Sequence, residues 1–193
     1  MDKWVNEKIE SELKVIGKQF PSFSLTSLDN ILVNNDSLVG KVGVINFMYI
    51  GCPPCMTEIS YLNGLQNDYK DKDVKLICFA PHTPKMLSLF TGIEKDNSQL
   101  TIAFEQLKKM FRVPKIEYPI IPACIIGREA RIEGENIRLG PDCTYITDHF
   151  FVNSYPQTFI VDKKGVVRKV IYGFSNDGNI IEYKKSIDEL LEE

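Results

Sequence analysis

The sequence predicts an α/β fold in which helices pack against a central β-sheet. Two apolar runs rich in β-branched residues, 42–49 and 74–80, have the composition of strands that are buried on both faces. Between them, residues 55–69 place apolar side chains at steps of three and four, which is typical of an amphipathic helix. A strand, a crossover helix and a second strand within about forty residues make a βαβ unit, so we predict parallel strands and a right-handed crossover.

The chain before this unit is predicted to form an N-terminal arm or helix and then a β-hairpin. Residues 3–16 carry apolar side chains at helical spacing among charges, and this pattern ends near Gly17. Alternating apolar and polar residues at 23–28 predict a half-buried strand. The sequence Asp29-Asn30 is typical of a turn, and it leads into a second short strand at 31–33.

After the unit, the same patterns predict three more helices, at 84–91, at 98–111 and from about Asn179 onward. A hairpin is predicted at 157–172, with its turn at 162–165. Residues 118–122 are predicted to form a short strand or extended edge, because proline removes ladder donors there. Residues 123–147 show no clear pattern.

Composition limits the kinds of partner. The 193 residues are 44% hydrophobic and 25% charged, which is the balance of a globular protein able to bury a core, and we expect one domain. With 23 Lys and Arg against 26 Asp and Glu, and no cluster of basic residues, nucleic acid is not an expected partner. The apolar runs are too short to cross a bilayer, so no membrane span is expected.

The stretch "MYIGCPPCMTE" (48–58) carries the chemistry. A cysteine at the junction of a strand and a helix lies beside unpaired backbone N–H groups and the positive end of the helix dipole. These surroundings lower the pKa of Cys52 and favour the thiolate, which attacks disulfides. Cys55 lies about one turn further along, within reach of Cys52. We predict that Cys52 is exposed and attacks, and that Cys55 resolves.

Pro53 and Pro54 are compatible with the first helical turn, where backbone N–H groups have no partner in the helix. Each proline nevertheless removes a donor that would otherwise stabilise the Cys52 thiolate. We therefore expect a less depressed pKa for Cys52 and a more reducing couple than in a motif without prolines.

Two other roles for the pair are disfavoured. A structural zinc site usually needs two close pairs of ligands, but Cys78, Cys124 and Cys143 form no second pair. A purely structural disulfide would close so short a loop that little chain entropy is removed. We therefore expect no metal and no organic cofactor, only a redox-active disulfide between Cys52 and Cys55.

The segments "GVINFMYIGCPPCMTEIS" and "YPQTFIVDKKGVV" resemble the thioredoxin-like thiol-disulfide oxidoreductases of the TlpA/ResA type, a branch close to the AhpC/TSA-like proteins. The resemblance implies a thioredoxin-like fold, with a central mixed β-sheet flanked by helices and the N-terminal hairpin as an extension. It covers most of the chain apart from residues 1–15 and about 122–147. The second of these segments is then an insertion before a cis-proline loop.

The resemblance also assigns roles to residues. Pro156 is expected to be the cis-proline that faces the cysteine pair, and Tyr155, Gly51 and Pro53 are expected to contact the partner. Glu58 occupies a position where this branch often carries a glutamate thought to assist proton movement, although a solvated helix carboxylate is the alternative.

Two positions depart from the usual pattern of such proteins. Gly51 replaces the tryptophan that usually precedes the first cysteine, which removes an aromatic surface beside the sulfur. Asn46 stands at the buried acidic position of thioredoxin, as is common in the TlpA-like branch. A carboxylate cannot accept a proton there, so Glu58 becomes the better candidate for a proton acceptor.

The implied activity is exchange of electrons with the thiols and disulfides of partner proteins. This branch usually works outside the cytoplasm, so we expect a processed form in the periplasm or cell envelope. The first residues lack the features of a secretion signal, so the expected location is cytoplasmic if Met1 is the native start. The sequence does not specify the oligomeric state.

Three rival functions compete with this one. A copper chaperone of the SCO type would use Cys52, Cys55 and His149, because soft thiolates and imidazole suit copper. Those proteins, however, separate their cysteines by three residues, whereas this chain uses two. An AhpC/TSA-type peroxidase needs a threonine and an arginine arranged around its cysteine, and Cys52 lacks them. A binding module without catalysis is disfavoured by the intact cysteine pair.

The remaining cysteines and histidines have simpler expected roles. Cys78, within a strand, is expected to be a small buried hydrophobe. His82 and His149 are expected to be polar surface or loop residues. Cys124 and Cys143 lie on either side of the unpatterned segment and can be joined in an oxidising compartment, but sequence spacing does not establish that their sulfurs are close.

Overall fold

A computed structural model describes residues 10, 12–124, 131–133, 136–138, 145–175 and 177–193. In chain order its elements are β1 (Ser24–Thr26), β2 (Leu32–Asn34), a 3-10 turn (Asn35–Leu38), β3 (Val42–Phe47), α1 (Pro53–Asp68), β4 (Val74–Ala80), α2 (Pro84–Thr91), α3 (Gln99–Phe111), β5 (Ile120–Pro122), β6 (Arg131–Glu133), β7 (Asn136–Arg138), α4 (Tyr145–Phe150), β8 (Gln157–Val161), β9 (Val167–Tyr172) and α5 (Asp177–Leu191).

The central sheet has the strand order β5-β4-β3-β8-β9. Strands β3 and β4 are parallel, with Val42 opposite Val74 and Phe47 opposite Phe79, which confirms the predicted βαβ unit with α1 as its crossover. Strand β8 pairs antiparallel with β3, and β9 pairs antiparallel with β8. The sheet is therefore mixed, and all six residues of β3 are buried at its centre.

Most of the predicted elements are confirmed with shifts of a few residues at their ends. The N-terminal hairpin is formed by β1 and β2, paired antiparallel, and Asn30 in its turn has a φ of 58°. The edge position of β5 agrees with its proline content, since a proline in an edge strand costs no internal ladder bond. Residues 12–15 are helical, but residues 1–9 and 11 of the predicted arm lie outside the described residues.

The described part of the insertion consists of a short antiparallel pair, β6 and β7, and the end of the segment overlaps the start of α4. Cys124 is disulfide-bonded, whereas Cys143 lies outside the described residues. No helix in the described ranges combines the length and the apolar character needed to cross a membrane.

Side chains on the two faces of the sheet form two separate apolar clusters. The first contains residues of α1, α2, α3 and α5 together with Val42 and Val44 of β3. The second contains Ile45 and Phe47 of the same strand, together with the N-terminal hairpin and α4. The alternation of neighbouring residues between the clusters follows from the two-residue period of a strand. The cysteine pair belongs to the first cluster.

Candidate active site

The cysteine pair lies where β3 gives way to α1. Cys52 is the N-cap of the helix, and Pro53 and Pro54 occupy its first positions. Because prolines have no N–H group, the Cys55 N–H is the first donor in the helix, and it points to Cys52 Sγ at 3.3 Å. The two cysteines are joined by a disulfide with a Cα–Cα distance of 5.2 Å.

The prediction that the Cys52 sulfur is exposed is wrong for this disulfide form, since the whole residue is only 2% exposed and Cys55 only 1%. Both belong to the apolar cluster of their face, and Tyr49 is half-buried against the same cluster. The bond to Cys55 and the N-cap geometry turn the Cys52 sulfur toward the helix and away from solvent. The neighbouring residues Gly51 and Pro53 are exposed on either side.

The bend at Tyr155 and Pro156 lies at the same end of the sheet. The Tyr155–Pro156 peptide bond is cis, as the resemblance implies. The next residue, Gln157, begins β8 opposite Phe47, the last residue of β3. The rings of Tyr155 and Tyr49 meet edge to face, with centroids 5.3 Å apart. The loop that leads into the cysteine pair and the proline bend are therefore in contact.

Glu58 is buried, so the alternative of a solvated helix carboxylate is excluded. Its side chain is on the inner face of α1, one turn after Cys55, and the residue is 1% exposed. The Tyr183 hydroxyl donates to Glu58 Oε1 at 2.7 Å, and Asn46 Nδ2 donates to Oε2 at 3.0 Å. Each carboxylate oxygen thus receives one neutral donor.

Burial raises the pKa of Glu58 to about 7, although the hydrogen bonds from Tyr183 and Asn46 act in the opposite direction. Loss of hydration disfavours the charged carboxylate, and two neutral donors compensate only in part. A carboxyl group with such a pKa takes up and releases protons near neutral pH, as a general acid or base requires.

Two further side chains complete a buried polar cluster around Glu58. Thr158 Oγ1 lies 3.0 Å from Asn46 Nδ2 and 2.9 Å from the Tyr183 hydroxyl oxygen. The Cys78 thiol donates to Asn46 Oδ1 at 3.3 Å, so Cys78 is buried as predicted but also hydrogen-bonded. Burial raises the pKa of Cys78 well above its usual value, and the negative charge of Glu58 adds to the effect.

Thr158 and Tyr183 were not predicted as site residues. Thr158 is a polar residue within a strand whose five positions are all buried, two residues after Pro156. Gln157 and Thr158 are the two polar residues at the start of this strand, and a polar pair directly after the predicted cis-proline is the signal that could have identified Thr158. Tyr183 belongs to the apolar stripe of the last helix, and nothing in its spacing indicates which partner its hydroxyl finds.

His82, predicted to be a polar surface or loop residue, lies in the loop between β4 and α2 but is not on the surface. It is 1% exposed, and its Nε2 accepts the Ile50 N–H at 2.8 Å, two residues before Cys52. Burial lowers the pKa of His82 to about 3, so the ring is neutral with its proton on Nδ1. His82 therefore anchors the loop that carries the reactive cysteine.

His149 does not complete a metal site with the cysteines. Its Nε2 lies 2.6 Å from the Ser22 carbonyl oxygen, and its ring packs against Phe150, a member of the second cluster. Within the described ranges, no three His, Cys, Asp or Glu side chains are arranged to hold a metal ion. The ligand set of the copper alternative, Cys52, Cys55 and His149, is therefore not assembled.

Comparison with known proteins places these features in a family. The sequence profile of the AhpC/TSA family matches residues 16–170. The thiol-disulfide oxidoreductase ResA of a Bacillus cereus strain is 26% identical over 163 residues, covering 84% of this chain and 73% of ResA. The thioredoxin-like protein YneN of Bacillus subtilis is 27% identical over 157 residues, covering 81% of this chain and 71% of YneN.

Among solved structures, a candidate thiol:disulfide interchange protein DsbE from Chlorobium tepidum superimposes with a TM-score of 0.60 at 18% identity, covering 91% of this chain and 97% of that protein. The predicted thioredoxin-like fold and the predicted class of enzyme, a thiol-disulfide oxidoreductase, are confirmed by these comparisons. With more than half of its length matched by the family profile, the chain belongs to the AhpC/TSA family.

Proposed function

We propose that this protein exchanges electrons with disulfides of partner proteins through the pair Cys52 and Cys55. The observation that carries the proposal is the position of the disulfide at the N-terminus of α1, one turn before a buried carboxyl group with a pKa of about 7. Such a site combines a reactive sulfur at Cys52 with a carboxyl group, that of Glu58, able to accept the proton of the Cys55 thiol. No bound metal or organic group is needed for this chemistry.

The exchange proceeds in two steps. In the reduced protein, the Cys52 thiolate attacks one sulfur of the partner disulfide, and a mixed disulfide forms while the partner's first thiolate leaves. Cys55 then loses its proton and attacks Cys52 Sγ, which forms the intramolecular disulfide and releases the partner's second thiolate. Two electrons pass to the partner, and its two thiolates take up protons. The same steps in reverse oxidise a partner dithiol.

In this scheme Glu58 accepts the proton from Cys55. Its position in α1 and its pKa of about 7 support the role, because a base is most effective when its pKa is close to the working pH. The amide at Asn46 has no acidic proton to exchange, so the glutamate supplies the carboxyl group of the buried cluster.

A partner is proposed to dock on Gly51, Pro53, Tyr155 and Pro156. Gly51 and Pro53 are exposed and flank Cys52, and Tyr155 contacts the loop before it. The backbone N–H and C=O of Tyr155 take part in none of the hydrogen bonds found among the described residues, which leaves them available to an extended segment of the partner. Since Cys52 is buried as a disulfide, the scheme requires its sulfur to become accessible after reduction.

We also propose that the protein works in an oxidising compartment outside the cytoplasm. Cys124 is disulfide-bonded, and stable disulfides are rare among proteins in reducing cytosol. A single domain is proposed for residues 1–193. Strands β3, β4, β5, β8 and β9 form one sheet, and α5 packs against it.

The proposal is tested by reduction of insulin with dithiothreitol as the electron source. Cys52→Ser is expected to reduce the rate to the uncatalysed background, and activity equal to wild type would contradict the role of Cys52. Cys55→Ser, reduced beforehand and then freed of dithiothreitol, is expected to accumulate a mixed disulfide with insulin, because neither Cys55 nor a small thiol is present to resolve it. An inactive Cys55→Ser variant without a trapped adduct would contradict the assigned order of attack.

A further inference from the structure

The hydroxyl groups of Tyr183 and Thr158 form a short chain that ends at the Glu58 carboxyl group. The Tyr183 oxygen lies 2.7 Å from Glu58 Oε1 and 2.9 Å from Thr158 Oγ1. Tyr183 is 1% exposed, and Thr158 and Asn46 are fully buried. Helix α5 and strand β8 thus each contribute one hydroxyl group to a carboxyl group carried by α1.

Counting hydrogens shows that this chain has two arrangements. A tyrosine hydroxyl has one proton and therefore donates to only one of its two neighbours at a time. When Glu58 is ionised, Tyr183 donates to Oε1, and the Thr158 hydroxyl donates to the Tyr183 oxygen. When Glu58 is protonated, its own O–H donates to the Tyr183 oxygen, and Tyr183 donates to Thr158 Oγ1. The Thr158 hydrogen then turns away from Tyr183, and no acceptor for it is found among the described hydrogen bonds. Only hydroxyl rotations separate the two arrangements.

Asn46 does not change between the arrangements. Its two amide hydrogens are donated to Glu58 Oε2 and Thr158 Oγ1, and its oxygen accepts the Cys78 thiol. An amide cannot exchange donor and acceptor roles as a hydroxyl group does. The reversible part of the cluster is therefore limited to Tyr183 and Thr158.

We infer that Tyr183 and Thr158 are positioning residues whose hydroxyl chain reverses direction, so that Glu58 keeps a hydrogen-bond partner both with and without its proton. This inference rests on the proposed role of Glu58 in proton transfer during disulfide exchange. It explains how a buried carboxyl group changes protonation while both of its oxygens keep a hydrogen-bond partner, with the unpaired hydrogen moved to the neutral Thr158 hydroxyl group.

Several other titratable groups lie around the hydroxyl chain of Tyr183 and Thr158. Glu58 acts electrostatically on Cys78 of β4 and on Tyr118 just before β5, and Glu182 of α5 acts on Tyr183. The disulfide between Cys52 and Cys55 does not titrate. No cation among the described residues contributes to the pKa of Glu58, so burial and the two donors determine it.

The two hydroxyl groups are expected to differ in the size of their effect when removed. Tyr183→Phe deletes a donor that the ionised carboxylate needs, so the midpoint of Glu58 titration moves up by about one pH unit. Thr158→Val leaves that donor in place and removes the hydrogen bond between Thr158 and Tyr183 from both protonation states. The midpoint is therefore expected to move less in Thr158→Val than in Tyr183→Phe.

The test is a carbon-13 NMR titration of the oxidised protein labelled at glutamate side-chain carboxyl carbons, with the Glu58 signal identified by its loss in Glu58→Gln. Tyr69→Phe is the matched control, because Tyr69 donates to the Asp188 carboxylate of the same helix α5 but lies outside the cluster. The control is expected to titrate as wild type. No upward shift in Tyr183→Phe, or a larger shift in Thr158→Val than in Tyr183→Phe, would overturn the inference.

A second measurement needs no variant of the cluster. With tyrosine labelled at the ring carbon that bears the hydroxyl group, the Tyr183 signal is expected to change with pH at the same midpoint as the Glu58 carboxyl signal. A Tyr183 signal that stays constant through that midpoint would contradict the reversal. Both measurements follow Glu58 directly, so their outcome is separate from that of the insulin assay, which tests the cysteines.

Discussion

The two faces of the central sheet are equally buried but differ in chemistry. Along β3, Ile45 and Phe47 point to a face covered by the hairpin and α4, where a large cluster of apolar side chains packs and Gln157, paired with Phe47, is a fully buried polar neighbour. The other face of the sheet receives the alternate side chains, Val44 and Asn46 of β3 and Met48 just after it. On that face the Asn46 amide donates to Glu58. One strand therefore serves an apolar core on one face and a polar cluster on the other.

The apolar face is dominated by phenylalanine rings. Phe47 packs on Phe79, Phe150 and Phe159 with centroid distances of 5.3, 5.3 and 5.5 Å. Aromatic contacts of this kind stabilise a core without offering any group that titrates. The opposite face holds the buried polar cluster: the Glu58 carboxyl group, the Tyr183 and Thr158 hydroxyl groups, the Asn46 amide and the Cys78 thiol. Under the proposed function, the polar residues of this face serve the reaction rather than packing.

The largest effect is expected for Phe47→Ala on the apolar face. Removing a fully buried phenyl ring lowers the free energy of unfolding by about 3–5 kcal/mol, because it leaves a cavity lined by the other rings. Urea unfolding monitored by circular dichroism measures this loss. The Glu58 titration midpoint is expected to stay at its wild-type value in this variant.

Phe47→Leu is the control, since it retains most of the buried apolar volume and is expected to lose less stability. The comparison between the faces fails if Phe47→Ala moves the Glu58 midpoint as far as a change within the polar cluster does.

The second effect comes from the polar face and depends on pH. The pKa of Glu58 is about 7 in the folded protein against 4.5 when unfolded, so the folded state binds the proton more tightly. Stability from this group is therefore present below about pH 4.5 and is lost as pH rises through about 7, by roughly 3 kcal/mol in total. Urea unfolding of wild type and Glu58→Gln across this range measures the difference.

Glu58→Gln cannot ionise, so its free energy of unfolding is expected to gain on wild type as the pH rises. Contributions from all other titrating groups are common to both proteins and cancel in the difference. A constant difference between about pH 5 and about pH 8, a range that brackets the folded pKa of about 7, would show that Glu58 does not titrate in this range.

The smallest of the three effects is expected at His82, which supports the cysteine loop. His82→Leu deletes the acceptor of the Ile50 N–H and leaves that buried donor unpaired, a cost of about 1–3 kcal/mol at neutral pH that is partly offset by removal of His82 Nδ1–H, which has no partner among the described residues. His82→Gln supplies a side-chain oxygen and is expected to recover part of the loss. Urea unfolding provides the measurement, and equal stability of the Leu and Gln variants would exclude the hydrogen bond as the cause.

Much of the fold was predictable because local patterns and packing agree. The continuous apolar runs indicated β3 and β4, and the two-residue and three-to-four-residue periods indicated the hairpins and helices. The cysteine pair, Glu58 and the cis bond before Pro156 were recognised from short motifs. These features depend on residues that are close together in the chain.

The polar cluster was only partly predictable, because it joins residues more than a hundred positions apart. The Tyr183 hydroxyl of the last helix donates to Glu58. Thr158 of β8 accepts from Asn46 of the neighbouring strand β3. The burial of His82 was not predicted, because a histidine just after a strand does not indicate that its ring accepts a backbone N–H of a neighbouring loop. The burial of Cys52 also depends on the disulfide and on tertiary packing, neither of which the motif specifies.

The central claim, that Cys52 is the attacking sulfur, is tested most directly by alkylation of the reduced protein. Reduced wild type is treated with iodoacetamide at neutral pH, and the rate at each cysteine is followed by peptide mass spectrometry. We expect Cys52 to be modified at least about tenfold faster than Cys55, because reduction exposes the Cys52 sulfur and the helix N-terminus favours its thiolate. Equal rates, or faster modification of Cys55, would contradict it.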